Sequence, residues 1–287
     1  MTERIRFAPE PWRPGEPAGL VEWSEARAYA GLIEAAPEEL RKRLRLDAAG
    51  VAGACALTAA GIAETLVLNR VIGLGMQEPA DADALDAVAA IYAKAGVTAH
   101  AIELSPAAWP AGVANLLVAR GYMPFKKTTM MIRACTPLAD PGAGGGGGVV
   151  RRAGIDEADA WAALACSVFG FDENMHAILR ATFGGDSWQH WLATIDADIA
   201  GVAATHLVDE TAWIGWVCTA PRFRGRGIQR QITAAQLAGA RDAGARWVTL
   251  EAATGSPTRP GASLRNYRRM EFQAVHERLT YLHRSAL

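Results

Sequence analysis

The segment that decides the fold reads WVCTAPRFRGRGIQRQ and runs from Trp216 to Gln231. It begins with the apolar and β-branched residues typical of a strand, and it crosses a loop that contains Gly225 and Gly227. A helical pattern follows and predicts a helix over Gly227–Ala243. This order places the N-terminus of a helix directly after the end of a strand.

The loop lies in a strongly basic stretch. The 31 residues between Glu210 and Asp242 include no acidic residue and five arginines, which are Arg222, Arg224, Arg226, Arg230 and Arg241. The whole chain, in contrast, has a formal net charge of −1, from 29 Lys and Arg against 30 Asp and Glu. The positive charge is therefore local to this segment.

These features indicate an anion-binding site. A helix N-terminus offers unpaired N–H groups and the positive end of a dipole, and glycines let the backbone approach a ligand closely. The other interpretation is an ordinary turn with solvated arginines, which the arginine density disfavours. A Walker loop, GxxxxGK followed by Ser or Thr, is absent, and Arg230 stands where a dinucleotide GxGxxG motif has its third glycine.

The composition bounds the remaining possibilities. A chain of 287 residues that is 51% hydrophobic and 21% charged can bury a core, and its length suggests two domains. The near-zero net charge argues against a general binder of nucleic acid or membrane surfaces. The longest charge-free apolar stretches have 16 residues, fewer than the roughly 20 that span a bilayer. The N-terminal residues have no apolar signal region, so we expect a cytoplasmic protein.

The four cysteines form no metal or disulfide pattern. They are far apart, at Cys55, Cys135, Cys166 and Cys218, without a CxxC pair or a histidine at ligand spacing. We expect them to be buried small hydrophobic residues in a reducing compartment, and we expect no metal.

A glycine-rich segment divides the chain. Pro137–Gly148 reads PLADPGAGGGGG and ends in five consecutive glycines, which favour a flexible linker. It separates a domain over residues 1–136 from one over residues 149–287. The two sides resemble each other, since Ala93–Leu104 can be laid over Arg241–Ala252 at an offset of 148. A duplicated domain is the simplest explanation.

The predicted elements define the fold class. In the second half, hairpin strands come first and are followed by a strand–helix–strand order that ends in a strand over Glu271–His283. In the first half, we expect helices, strands over Val51–Thr58 and Thr65–Ile72, and a helix over Asp81–Ala95. These patterns predict an α+β fold, with a central mixed sheet flanked by helices in each of two tandem domains.

The basic loop resembles a known family. Arg222–Gly227 matches the Arg/Gln-x-x-Gly-x-Gly/Ala loop of the GNAT superfamily of N-acetyltransferases. The resemblance implies that this loop binds the pyrophosphate of acetyl-CoA and that the preceding strand pairs with the pantetheine arm. The implied cofactor-binding residues are Val217, Cys218, Thr219, Arg222, Arg224, Gly225, Arg226, Gly227, Ile228, Gln229, Arg230 and Ser263.

A second match lies downstream. Ala262–Phe272 resembles the family's A-S-x-x-x-Y-x-x-x-G-F segment, which implies that Tyr267 is the catalytic acid that protonates the departing thiolate. A phenol has a pKa near 10 and a thiol a pKa near 8.5, so a well-placed tyrosine can be such an acid. A half-buried packing tyrosine is the alternative. Pro260 and Glu271 depart from the family pattern, where Asn and Gly are usual.

The first copy has lost both features. At the offset of 148, the basic loop falls on residues 74–79, which are neutral to acidic and include Pro79. At an offset of 150, Tyr267 falls on Leu117. We therefore expect a degenerate first domain that binds CoA weakly or not at all.

The resemblance implies an acyl-CoA-dependent N-acyltransferase that transfers acetyl from acetyl-CoA to a primary amine by direct attack. We expect a small-molecule amine or a peptide as acceptor, no nucleic acid or membrane partner, and a monomer or homodimer. The alternatives are a non-catalytic acyl-CoA-binding module and, less favoured, a nucleic-acid binder. The sequence does not single out the general base, and the candidates are Asp172, Glu173, His206, Glu210 and Glu251.

Overall fold

A computed structural model describes residues 12–13, 15–138, 148–256 and 259–284. The described chain forms two compact units. The first comprises the residues up to Met131, the short segment Ala252–Ser256, and the residues from Ala274 onward. The second comprises Ile132–Glu251 and the residues from 259 to Gln273.

The first part of the chain contains four helices and five strands among its described residues. They are α1 (Pro17–Ala35), α2 (Glu38–Leu44), β1 (Leu46–Val51), β2 (Ala54–Ala59), β3 (Arg70–Ile72), α3 (Ala82–Ala95), β4 (Ala99–Leu104), α4 (Val113–Ala119) and β5 (Met123–Ala134). Short 3-10 turns lie at Ala60–Ile62 and Leu66–Leu68.

The second part of the chain continues the numbering. It contains β6 (Val149–Arg152), α5 (Ala158–Phe169), α6 (Glu173–Ala181), β7 (Trp188–Ile195), β8 (Asp198–Val208), β9 (Thr211–Thr219), α7 (Ile228–Asp242), β10 (Trp247–Ala253), β11 (Gly255–Ser256), β12 (Arg259–Pro260), α8 (Ala262–Arg269) and β13 (Gln273–Arg284). Further 3-10 turns lie at Ile155–Glu157 and Pro221–Phe223.

The first unit is built on a mixed sheet with the strand order β1–β2–β3–β4–β13–β5. Strand β3 runs parallel to β4, and β4 pairs antiparallel with β13 over six residue pairs, from Leu104–Leu279 to Ala99–Arg284. The end of the chain therefore supplies a central strand to the unit that contains most of the first half. The two units are therefore not two contiguous halves of the chain. The division of the sequence into two duplicated domains, separated by residues 137–148, stays a prediction.

A buried ion cluster holds β13 in this unit. The Arg278 guanidinium on β13 contacts the carboxylates of Glu22 at 3.0 Å, Glu25 at 2.8 Å and Glu103 at 3.4 Å, and all four side chains are at most 1% exposed. Arg70 binds the same Glu25 and Glu103 at 2.8 and 3.0 Å. Although burial by itself raises the pKa of Glu103, the guanidinium groups of Arg278 and Arg70 hold that pKa well below its ordinary value. These charges are tolerated in the interior because each has an opposite partner.

The second unit is built on the strand order β10–β9–β8–β7–β6. The strands from β6 to β9 are antiparallel, whereas β10 runs parallel to β9. Helix α7 packs on this sheet through Ile228 and Ile232, which are at most 1% exposed and contact a core that includes Trp191 and Phe223. This packing fixes the N-terminus of α7 beside the end of β9.

The predicted fold class is confirmed, since each unit has a mixed sheet flanked by helices. The order strand–helix–strand also recurs at the predicted spacing, because β4 and β10 begin 148 positions apart and β5 and β13 begin 150 apart.

The predicted strand over Val51–Thr58 is wrong, because a β1–β2 hairpin turns within that segment. Ala52 and Gly53 both have positive φ, 46° and 69°, which suits a two-residue hairpin turn. The predicted strand over Thr65–Ile72 is also shorter than expected, since only Arg70–Ile72 is a strand.

The described residues contain neither a membrane-spanning helix nor a metal-binding cluster. No helix in the described part of the chain is long and apolar enough to cross a membrane. Within the same residues, no group of three or more His, Cys, Asp or Glu side chains is arranged to hold a metal ion. All four cysteines are buried and free.

The ion cluster predicts a large effect of Arg278→Ala on stability. Among the described ion pairs, removing the guanidinium leaves the buried Glu25 and Glu103 carboxylates with Arg70 as their remaining cation, and it leaves Glu22 beside His276 alone, so we expect a loss of about 3–5 kcal/mol of unfolding free energy. Urea denaturation followed by circular dichroism measures this loss. Glu277→Ala is the matched control, because the neighbouring Glu277 is half exposed and pairs with Lys127 at the surface, an interaction worth about 0–1 kcal/mol. Equal effects of the two substitutions would contradict this account of the cluster.

Candidate functional site

A cavity of about 690 Å³ lies at the N-terminus of α7, in the second unit. Its volume falls in the range of small-molecule sites. Three stretches supply its walls: the end of α5, the segment from β9 into α7, and α8. The lining residues are Val168, Phe169, Val217, Cys218, Thr219, Phe223, Arg224, Gly225, Gly227, Ile228, Gln229, Arg230, Ala262, Ser263, Asn266 and Arg269.

The N-terminus of α7 is open toward this cavity. Its N-cap residue, Gly227, has φ +76° and makes no side-chain cap, and the first turn contains no acidic residue. Gly225 also has a positive φ, +81°, and a Cβ built on either glycine would meet no atom within 4 Å. The loop therefore leaves free space directly in front of the first N–H groups of the helix, where an anion is stabilised.

The charge of the cavity suits a polyanion. Arg224, Arg230 and Arg269 all line it, and none of its described lining residues is acidic. Arg224 is itself exposed, so its guanidinium is accessible to a ligand. Three cations around an uncapped helix N-terminus suit an anionic ligand such as a phosphate group better than a cation.

Strand β9 presents a free edge beside the cavity. It pairs with β10 over only three residue pairs, Thr211–Trp247 to Trp213–Thr249, so its later residues are not paired with β10 in the described ladder. A β-bulge also interrupts the pairing with β8, because Val202 faces Cys218 while Ala204 already faces Gly215. Trp216 lies in this bulge with φ +54°, a conformation rare for a bulky residue. Such local strain is typical of functional sites.

Helix α8 closes the opposite side of the cavity. Ser263 and Asn266 line it, and the Asn266 side-chain amide donates a 2.7 Å hydrogen bond to Oε1 of Gln229 at the start of α7. Tyr267, in contrast, is 4% exposed and does not belong to the lining. Burial raises the pKa of Tyr267 to about 12, and interactions of its hydroxyl with Gln229 and Thr233 oppose that rise.

The structure brings ten of the twelve proposed cofactor-binding residues into the cavity wall. The other two, Arg222 and Arg226, lie outside it. Arg222 pairs with Asp198 at 3.1 Å, and both guanidinium groups lie over the ring of Phe223, at 4.7 and 5.5 Å from its centre. They support the loop from its outer side, where their charge still adds to the local positive potential.

Six lining residues are not among the twelve proposed cofactor-binding residues: Val168, Phe169, Phe223, Ala262, Asn266 and Arg269. Asn266 and Arg269 belong to the family-like segment Ala262–Phe272, so their spacing from Ser263 within that segment was a usable signal. Val168 and Phe169 reach the cavity only through the folding of α5 against β9, and nothing in the sequence around them marks that contact.

The corresponding loop of the first unit is arranged differently. The N-terminus of α3 is capped by Asp81, whose carboxylate accepts a hydrogen bond from the N–H of Ala84 at 3.0 Å. In the loop before α3, a backbone carbonyl faces a cation, because the Met76 carbonyl accepts a 3.1 Å hydrogen bond from Nε of Arg13. A Cβ on Gly73 would overlap the buried ring of Trp12. An anion at the N-terminus of α3 would therefore meet the Asp81 carboxylate and a loop whose space is occupied by the Trp12 ring.

None of the five candidate bases belongs to the cavity lining. The Asp172 carboxylate caps α6 by accepting hydrogen bonds from the N–H groups of Asn174 and Met175, each at 3.1 Å. Glu210 forms an exposed pair with Arg246 at 3.0 Å. The geometry therefore does not select a protein base for the amine.

The sequence of this region matches a family model. Residues 157–272 match the model of the acetyltransferase (GNAT) family, a span that contains the whole cavity. This part of the chain is therefore a GNAT acetyltransferase domain. No curated protein matches the chain in a sequence search.

Solved structures show the same fold over most of the chain. A GCN5-related N-acetyltransferase from Kribbella flavida is 17% identical with a TM-score of 0.64, covering 91% of this chain and 96% of that one. A tandem GNAT protein from the clavulanic acid biosynthesis pathway is 14% identical with a TM-score of 0.53, covering 76% and 75%. A functionally unknown conserved protein from Staphylococcus epidermidis is 10% identical with a TM-score of 0.61, covering 85% and 96%. The chain thus has the fold of tandem GNAT proteins.

Proposed function

We propose that the second unit is an N-acyltransferase that transfers the acetyl group of acetyl-CoA to a primary amine. The observation that carries the proposal is the uncapped N-terminus of α7, which faces a cavity lined by three arginines and no described acid. The chain's own family supports acyl transfer in general. The acetyl donor and the amine acceptor are the parts that experiment must test.

The loop before α7 would hold the pyrophosphate. The N–H groups from Gly225 to Ile228 donate to phosphate oxygens without a Cβ in the way, and the Arg224 and Arg230 guanidinium groups supply charge. Arg269, on the last turn of α8, supports a further phosphate at the same cavity. These residues would therefore bind the phosphate end of acetyl-CoA, which takes no part in the transfer of the acetyl group.

The free edge of β9 would align the rest of the donor. An extended pantetheine arm, which contains amide groups, can pair with backbone groups of Val217 and Thr219 as an added strand would. The bulge at Trp216 turns the backbone out of the β8 ladder, which leaves N–H donors in this stretch for the thioester carbonyl. A donor fixed in that position stabilises the negative charge that develops on the carbonyl oxygen.

The reaction needs no covalent enzyme intermediate. The amine nitrogen forms a bond to the carbonyl carbon and the C–S bond breaks; the thiolate gains one proton and the amine loses one, so a donor that protonates the thiolate recovers its proton from the amine directly or through solvent. Cys218 lines the cavity but is a poor nucleophile, because burial raises the pKa of its thiol to about 12 and keeps it protonated near neutral pH. Direct attack by the amine is the simpler route.

Tyr267 is the proposed proton donor for the thiolate. Its position on α8 matches the family-like segment, and its hydroxyl interacts with Gln229, which lines the cavity. Burial raises the pKa of Tyr267, which makes proton transfer from its hydroxyl to the thiolate less favourable than from an exposed tyrosine. A purely positioning role would not involve that transfer. The two roles make different kinetic predictions.

Gly225→Asp tests the anion site. The substitution places a carboxylate where the phosphate would lie, so we expect acetyl-CoA to bind at least about tenfold more weakly in calorimetric titration. Room for the side chain exists, since a Cβ added at Gly225 would have no atom within 4 Å.

Gly184→Asp is the matched control for this experiment. Gly184 has φ +89°, also has no atom within 4 Å of its Cβ position, and lies outside the cavity lining. It carries the same backbone strain and the same added charge. Equal loss of binding in both variants would contradict the proposed site.

Tyr267→Phe separates proton donation from positioning. A proton donor predicts that kcat falls by about 10²-fold or more while KM for acetyl-CoA stays close to that of the parent protein, measured by release of free thiol. A positioning role predicts a raised KM with little change in kcat.

Tyr281→Phe is the control for removing a buried tyrosine hydroxyl, because Tyr281 packs in the core of the first unit. An unchanged kcat in Tyr267→Phe would remove the tyrosine from the chemical step. The alternative is a non-catalytic acyl-CoA-binding module. It holds if acetyl-CoA binds but no amine is acetylated. One observation favours it, since Tyr267 is buried and does not belong to the cavity lining.

A further inference from the structure

We infer that the acceptor is an amine carrying a flat, apolar group such as an aromatic ring, rather than a polyamine or another polycation. This inference rests on the proposed function and names its substrate class. It follows from an aromatic surface at the reacting end of the cavity and from the charges around it.

The reacting end of the cavity is the one away from the basic loop. Phosphate groups belong at Gly225 and Gly227, after the end of β9. Val217 and Trp216 precede Thr219 on β9 and so lie farther from the basic loop along the strand. The acyl group, at the opposite end of the ligand from the phosphates, would therefore lie near Val217, and the amine must approach there.

Three aromatic rings meet at this end. Phe169 and Phe171 contact the indole of Trp216 edge-on, with ring centres 5.8 and 6.0 Å away, and the two phenyl rings are 6.1 Å apart. The turn between them depends on Gly170, which ends α5 with φ +76° and lets both rings reach the same indole. We call these three residues the aromatic surface.

The aromatic surface is open to a ligand. Phe169 lines the cavity and is 42% exposed, which is unusual for a phenyl ring with a packing role alone. Trp216 is 7% exposed and sits in the strained bulge of β9, so it supports the surface from beneath. A second flat ring can pack against Phe169 with the offset or edge-on geometry that aromatic groups prefer.

The charges disfavour a polycation. The three lining arginines are assigned to the phosphates of the donor, and the described lining residues include no carboxylate that could pair with an additional ammonium group. The nearest acid along the chain to the aromatic surface, Asp172, is committed to α6, because its Oδ1 accepts two backbone N–H groups and its Oδ2 accepts the Asn174 side-chain amide at 2.9 Å. A polyamine would bring several positive charges to this cavity without a carboxylate in its wall.

The test compares acceptors with and without a ring. Initial rates of thiol release are measured at saturating acetyl-CoA with 2-phenylethylamine, ethanolamine and spermidine. We expect kcat/KM for 2-phenylethylamine to exceed that of the other two by about tenfold or more, as expected for a filled apolar pocket. Phe169→Ala should lower kcat/KM for 2-phenylethylamine more than for ethanolamine.

Trp247→Ala is the control variant, since Trp247 is 39% exposed and lies outside the cavity lining. It should leave the ranking of the three amines unchanged. Acetylation without preference for the ring, or a preference for spermidine, would overturn this inference and leave the proposed function standing. A Phe169→Ala effect equal for all amines would overturn it as well. If none of the amines is acetylated, the proposed function fails and the inference fails with it.

Discussion

The unsatisfied N–H groups at the start of α7 are the constraint on which the site depends. The first N–H groups of a helix have no partner within the helix, and most helices satisfy some of them with a side chain. Here Gly227 supplies none, and the first turn contains no carboxylate. Arg224, Arg230 and Arg269 line the cavity in front of this helix end and add positive charge there. The start of α7 is therefore a point in the second unit where a negative charge would be stabilised.

The two copies solve the same structural problem in different ways. In the first unit, the Asp81 side chain caps α3, and Arg13 occupies the carbonyls of the preceding loop. In the second unit, no side chain caps the N-terminus of α7, so its N–H groups can donate to a ligand. The first unit instead concentrates its charges in the interior, where Arg70 and Arg278 hold three glutamates. In the first unit, the buried charges stabilise the pairing of particular strands. In the second unit, the charges around α7 are placed to bind a ligand.

Local signals in the sequence were sufficient for the elements around the site. The basic loop, the helix after it and the family-like segment at Ala262–Phe272 each depend on residues close together in the chain, and the structure has α7 and α8 where they were predicted. The tandem arrangement followed from the repeated order of elements. These features can be recognised from the periodicity of apolar residues, the positions of glycines and the distribution of charge along the sequence.

Nonlocal pairing explains what the sequence could not predict. An alternating strand such as β13 has the same pattern whichever sheet it joins, and its place beside β4 depends on Arg278 meeting Glu22 and Glu103, far away in the chain. The aromatic surface was missed for the same reason, since Phe169 and Trp216 meet only after α5 packs on the sheet. The Ala52-Gly53 turn lacks the Asn or Asp that usually marks such a hairpin.

The number of acetyl-CoA molecules bound per chain tests the central claim most directly. Calorimetric titration of the whole chain should give one equivalent, because α7 offers an open helix N-terminus and α3 is capped by Asp81. The double substitution Arg224→Glu and Arg230→Glu should remove that single equivalent. Two equivalents in the parent protein, or one that persists in the double variant, would contradict the account.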